Sequence, residues 1–222
     1  MALDDLVPGD GLLPPAAYAR DDDGPDPAFY AVPRKVVHID DEAIAALGGL
    51  YAELLPRQGR LLDLMSSWRS HLPPGYEDAE VVGLGMSAEE MADNPQLRRF
   101  VVHDVNREPR LPFEDASFDG AACAVSVQYV RHPLRLFREV ARVLRPEAPF
   151  VVAFSNRCFP TKAVHVWLET TDAQHVTLVR GYFERAGGWA DIREEDRSPG
   201  GDANPLFAVT ARRTLTSASA IR

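Results

Sequence analysis

The chain has 222 residues, 45% of them apolar and 26% charged, with a formal net charge of −9, which is enough for one domain with a packed core. No stretch approaches the roughly 18 consecutive apolar residues of a membrane span, and Met1-Ala2-Leu3-Asp4-Asp5 lacks the basic flank and apolar run of a signal peptide, so a cytoplasmic protein without a membrane partner is expected. The acidic balance argues against nucleic acid as a partner. Two cysteines, Cys123 and Cys158, are too few for a disulfide framework or a cysteine zinc cage and read as reduced thiols.

Residues 1–30 carry seven aspartates against Arg20 alone and so supply −6 of the −9, leaving −3 for the other 192 residues. Five prolines and the run Asp21-Asp22-Asp23-Gly24 leave this stretch without a helical or strand period. It reads as an acidic, proline-rich arm over 1–35, disordered or loosely packed, whose deletion leaves the fold intact. A solubilising tail, a lid and a partner-binding arm are all compatible with that composition.

From residue 41 periodicity begins. Asp40-Asp41-Glu42 opens a helix with Ile44, Leu47, Leu50, Tyr51, Leu54 and Leu55 at helical spacing, ended by Pro56. Residues 60–65 read as a buried strand and 66–72 as a brief helix stopped by Pro73-Pro74-Gly75. A second strand over 80–84 leads into a helix opened by the capping box Ser87-Ala88-Glu89-Glu90, and 100–104 is a third strand. The fourth, 118–127, is apolar on both faces, as a central parallel strand requires. An amphipathic helix starts at His132-Pro133 and closes at Arg145-Pro146. A fifth strand over 150–154, a helical region over 161–186, and strands over 189–193 and 205–210 complete the domain, 36–213, with 214–222 as a flexible tail.

Alternation of strands and helices means an α/β fold with a parallel sheet covered on both faces. Right-handed crossovers then place every strand's C-terminal end, and any ligand, along one edge.

At those strand ends the motifs resemble a class I S-adenosylmethionine-dependent methyltransferase of the broad type 11 kind, over roughly residues 40–212. Leu111-Pro112-Phe113-Glu114-Asp115-Ala116-Ser117-Phe118-Asp119 is similar to that family's loop-into-strand segment, and Phe137-Arg138-Glu139-Val140-Ala141-Arg142-Val143-Leu144-Arg145-Pro146 to its following helix. The resemblance implies a Rossmann-like, seven-stranded sheet with the last strand antiparallel, and S-adenosyl-L-methionine as cofactor. Asp63 matches the acidic residue that opens the family's glycine-rich loop, but Met65-Ser66-Ser67-Trp68-Arg69-Ser70-His71 follows without a glycine. In Gly83-Leu84-Gly85-Met86-Ser87, Gly85 stands where the family has an acidic residue on the ribose, so Gly85→Asp is expected to restore a ribose contact. Asp104 matches the residue that meets the adenine amino group, and Met86 suits a flat apolar contact on adenine.

Two outcomes stay open. Either the pocket is rebuilt with side chains, Ser66 and Ser67 hydroxyls replacing backbone donors and Trp68 covering an adenosyl group, or it is filled and the chain is a catalytically silent binding or scaffold protein. Methyl transfer needs alignment and exclusion of water more than a covalent intermediate or a metal. The acceptor wall is expected beyond the fourth and fifth strands, with Ser126, Gln128, Tyr129, Ser155, Asn156, Arg157 and Cys158. Asn156 and Arg157 supply donors for an anionic group, and His175 has the intrinsic pKa of a general base, though a lone helical histidine is also a common surface or satisfied residue. His132 before Pro133 reads as a cap, and Cys158 has no triad spacing. The six histidines are dispersed, so no metal is expected, and a P-loop or dinucleotide fingerprint is absent. The expected activity is in-line methyl transfer to a small molecule; the oligomeric state stays open.

Overall fold

A computed structural model describes residues 12–215. Seven strands form one sheet: β1 (Gly59–Leu64), β2 (Ala79–Gly85), β3 (Arg99–Val102), β4 (Gly120–Ala124), β5 (Pro149–Phe154), β6 (Trp189–Asp196) and β7 (Phe207–Arg213), in the order β3-β2-β1-β4-β5-β7-β6. Strands β1 to β5 pair in parallel, while β7 runs antiparallel to both β5 and β6. The chain order reverses between β1 and β4, and that reversal opens the crevice in which ligands bind to such sheets.

Six helices accompany the strands: α1 (Asp26–Phe29), α2 (Asp41–Leu54), α3 (Ala88–Ala92), α4 (Pro133–Val143), α5 (His165–Leu168) and α6 (Asp172–Ala186). Strand alternation sends Leu61, Ala122, Val151 and Ala208 into one core with Leu47 and Leu50 of α2. Leu62, Ala121, Phe150 and Val209 point to the other face, against Phe137 of α4 and Phe183 of α6. Caps fix the helix starts: the Asp40 carboxylate accepts from Ala43 N–H at 2.9 Å, and Thr171 with Gln174 forms a capping box on α6. That box divides the helical region expected over 161–186 into α5 and α6.

The segments that carry the family resemblance bond to one another. Glu139 of α4 accepts from Leu111 N–H at 2.9 Å, and Arg142 donates to the carbonyls of Leu111 and Phe113. They lock helix to strand and do not reach the sheet's C-terminal edge.

Two expectations are corrected. Residues 66–72 form no helix, because Ser66 N–H donates across to Leu84 O at 2.8 Å and the serine hydroxyls bond to side chains instead of capping a turn. Residues 12–35 are not a loose arm. Tyr18 is 2% exposed, and Lys162, 1% exposed, meets Asp22 at 3.0 Å and Asp26 at 3.2 Å, so the acidic run answers a buried cation. Residues 1–11 and 216–222 of the expected arm and tail lie outside the described residues; Thr214 N–H donates to Gly188 O. Among the described residues no helix is long and apolar enough to cross a membrane.

Candidate active site

Loops leaving β1 to β5 converge on one cleft at the sheet's C-terminal edge. The loop after β1 contributes residues 65–69 and His71, that after β2 residues 85–87, that after β3 residues 103–106, that after β4 Ser126 and Tyr129, and that after β5 Phe159. Asp63, Ser66, Ser67, Trp68, Gly85, Met86, Asp104 and Ser126 all line it, as does Tyr129. Their convergence follows from the strand order, since each sits at or just beyond a strand end.

The loop after β1 is built on Asp63. Ser66 Oγ and Ser70 Oγ donate to its Oδ2 at 2.5 and 2.7 Å, while burial pushes the carboxyl up to about 6 against those two donors. Asn94 Nδ2 donates to Ser70 Oγ and Ser67 O, both at 2.9 Å, and Ser67 Oγ donates to Glu90 Oε2 at 2.6 Å. The serine hydroxyls are thus committed within the protein instead of standing in as free donors. The N–H groups of Ser67 and Trp68 make no hydrogen bond among the described residues, so the loop still presents backbone donors. Trp68 Nε1 donates to Val36 O at 3.0 Å, tying the loop to the N-terminal segment.

Gly85 is where this loop crosses β2. A Cβ at that position would lie 2.1 Å from Ser66 O, so a carboxylate there is sterically barred and the expectation that Gly85→Asp restores a ribose contact is withdrawn. Glu90 of α3 also lines the cleft and accepts from Ser67 Oγ and from Arg34 N–H at 2.7 Å. Asp104 accepts from Asn106 N–H and Arg107 N–H through Oδ1, and its Oδ2 has no partner among the described residues. Ser126 Oγ donates to Ala124 O at 2.8 Å.

The N-terminal segment supplies Asp26, Tyr30, Arg34, Val36 and His38, which sequence reasoning missed. Asp26 is buried beside Arg20 at 2.9 Å and accepts from Asn106 Nδ2 at 3.0 Å; Asn106 also donates to Tyr129 O. The available signal was Lys162, one of only two lysines in the chain, set just before the apolar pair Ala163-Val164. His38 and His71, far apart in sequence, meet in this cleft. Burial lowers both, His71 to about 4, and neither ring has a hydrogen-bond partner among the described residues.

The expected acceptor wall is met only in part. Tyr129 Oη accepts from Phe159 N–H at 2.8 Å, and burial raises the phenol above its ordinary value, so it is a support for the wall instead of a base. Asn156 and Arg157 are exposed and lie outside the cleft, because after β5 only Phe159 turns back into it. His175 is buried elsewhere. Its ring stacks on Trp167 at 3.9 Å between centroids and 4° between planes, Nε2 donates to Trp167 O at 2.9 Å, and burial depresses its pKa. A helical histidine facing inward at α6 joins the core and not the sheet edge.

Comparison with known proteins agrees with this geometry. Residues 67–152 match the methyltransferase domain family model, from within the glycine-free loop to the middle of β5. An S-adenosylmethionine-dependent methyltransferase from Mesorhizobium loti is similar at 21% identity and a TM-score of 0.52, over 76% of this chain and 98% of that one. The [4+2]-cyclase SpnF is similar at 19% identity and 0.59, over 85% and 92%. Geranyl diphosphate C-methyltransferase from Streptomyces coelicolor, in complex with S-adenosyl-L-homocysteine, is similar at 15% and 0.50, over 77% and 76%. No curated protein matches the sequence significantly. The chain thus has the fold of the S-adenosylmethionine-dependent methyltransferases to which it is similar, and its residues 67–152 match a methyltransferase domain model.

Proposed function

We propose that the cleft binds S-adenosyl-L-methionine and that the chain is an enzyme transferring its methyl group to a small molecule. The carrying observation is the convergence of Asp63, Ser67, Trp68, Met86 and Asp104 on one open cleft at the switch point of the sheet. The free Oδ2 of Asp104 is an acceptor suited to an exocyclic amine, with Met86 as the apolar contact beside it. The unbonded N–H groups of Ser67 and Trp68 suit a carboxylate, and the carboxylates of Asp63 and Glu90 favour a cation between them. When bound, the cofactor supplies an electrophilic methyl on a positively charged sulfur. The protein's part is to fix the two ends of that molecule and keep water from the methyl carbon.

Unmet donors and acceptors inside the cleft favour a ligand site over a filled, silent pocket. Yet the likeness to a [4+2]-cyclase means that this fold alone does not set the reaction. Titrating S-adenosylhomocysteine by calorimetry tests the reading. Binding is expected, with Asp104→Ala weakening it about 10- to 100-fold through loss of a charge-assisted hydrogen bond; no heat and no thermal shift at millimolar ligand would end it.

A further inference from the structure

We propose that the end of the cleft beneath β4 and β5 is an acceptor chamber for an uncharged planar aromatic carrying a hydroxyl group, and that His38 is the base that takes the hydroxyl proton. This rests on the reading of the cleft as a methyl-donor site.

The chamber is aromatic. The Phe159 ring meets the His38 ring edge-on at 4.8 Å and lies 26° from the Tyr129 plane at 6.2 Å, and Tyr30 completes the wall. Flat apolar faces of this kind bind flat apolar guests. Its polar groups are unspent: neither the His38 nor the His71 imidazole, nor the Tyr30 hydroxyl, makes a hydrogen bond among the described residues, although all three are at least half-buried. Buried polar groups of this sort find partners, so a guest with its own hydrogen-bonding groups fits better than a hydrocarbon.

Charge narrows the class. The two cations lining the cleft are already engaged. Arg34 Nη1 donates to Phe29 O at 2.6 Å and its guanidinium covers the Phe29 ring at 3.9 Å; Arg69 donates to Trp68 O and covers the Trp68 ring at 3.8 Å. With Glu90, Asp63 and Asp104 facing the same space, a carboxylate or phosphate acceptor meets repulsion and no open clamp among the residues that line the cleft.

A neutral hydroxyl is a weak nucleophile until its proton leaves, which is the work of a general base. The acceptor O–H bond breaks and its proton goes to the lone pair of a His38 ring nitrogen. The oxygen forms a bond to the methyl carbon of the sulfonium donor as the carbon–sulfur bond breaks, its electron pair passing to sulfur to leave a thioether; His38 then releases the proton to water. His38 suits this better than His71. Glu90 on α3 works against the burial that lowers His38, with Arg157 beyond β5 opposing it, whereas Arg69 and His38 both add to the burial that lowers His71.

The full-length protein is to be incubated with methyl-labelled S-adenosylmethionine and 2-naphthol, 7-hydroxycoumarin or catechol, with aniline and benzoate as comparators, and products read by mass spectrometry. An O-methyl product from at least one hydroxyaromatic, and none from benzoate, is expected. His38→Gln should slow turnover at pH 7 about 10²- to 10⁴-fold while S-adenosylhomocysteine affinity stays within twofold, and the deficit should shrink as pH approaches the acceptor's own ionisation. His38→Gln should slow turnover more than His71→Gln does. If S-adenosylhomocysteine binds but no hydroxyaromatic is methylated, or aniline alone is, or His38→Gln turns over as fast as the unaltered protein, the proposal is overturned. If S-adenosylhomocysteine does not bind at all, the donor-site reading fails first and takes this one with it.

Discussion

The carbonyl oxygen of Ser66 occupies the space that a side chain at Gly85 would need, 2.1 Å from where its Cβ would stand. The glycine-free loop and the lack of a carboxylate at position 85 are therefore one feature. A loop that replaces glycines with Ser66 and Ser67 swings its backbone over β2, and β2 answers with a glycine.

Gly85→Ala is accordingly expected to destabilise the protein, since the obstructing atom is backbone and cannot rotate away. Overpacking of this kind costs about 1–3 kcal/mol, a fall of roughly 2–12 °C in Tm for a chain of this length. Differential scanning calorimetry reads it directly. An unchanged Tm would mean that the Ser66 crossing yields easily and that the loop can reopen.

Asp63 gives a pH signature. Its folded carboxyl sits at about 6 against the ordinary 3.8, so between those values the folded chain holds a proton that the unfolded chain has released. Stability from this group is therefore greatest below about pH 4, falls by up to about 1.4 kcal/mol per unit as pH rises through the window, and is level above about 6. Asp63→Asn keeps an acceptor for Ser66 and Ser70 but cannot ionise. Urea unfolding of both proteins at pH 4.5 and 7.5 should show the variant gaining on the parent at the higher pH; parallel behaviour would mean that the two hydroxyls hold Asp63 ionised throughout the fold.

Strand positions were legible because each strand's apolar run is local and bounded by turns; Leu61-Leu62 or Phe150-Val151-Val152 identifies itself. The cleft residues at the strand ends followed from position alone, since Asp63, Gly85 and Asp104 sit there whatever the loops do. The acceptor side did not, because it depends on where the chain turns after β5. His175 and Arg157 had suitable chemistry, and tertiary packing sent one into the core and the other to solvent. Nor did composition reveal that Asp22 and Asp26 would face Lys162, a pairing across about 140 positions with no local pattern to announce it.

That pairing makes the N-terminal segment structural. Lys162→Met removes the cation that meets both acids and donates to Asp22 O and Gly24 O, leaving Asp26 with Arg20 and Asn106. Breaking a buried pair from one side costs about 3–5 kcal/mol. Faster proteolytic cleavage between residues 21 and 35 and weaker S-adenosylhomocysteine binding are expected, because Asp26, Tyr30 and His38 all line the cleft. A truncation starting at residue 36 should likewise lose stability; if it melts with the parent, the segment merely rests on the domain.

His175 separates a structural from a catalytic histidine. Its ring lies flat on Trp167, donates to that residue's carbonyl, and has Asp172 at 3.6 Å from Nδ1, with Phe154 of β5 on a further side. Nothing in that environment opens to the cleft. His175→Ala thus removes a stacked ring and leaves Trp167 O without its donor, and a loss of about 2–4 kcal/mol is expected from the cavity and the unmet carbonyl together. S-adenosylhomocysteine affinity should be unchanged at a temperature where the variant is folded. Any turnover found for the parent should persist as well, in contrast to His38→Gln, which is expected to keep its stability and lose its rate. Were the two histidines to behave the other way round, with His175→Ala stable but inactive, the chemistry would have to lie on the α6 side of β5 and the cleft described above would not be where the acceptor sits.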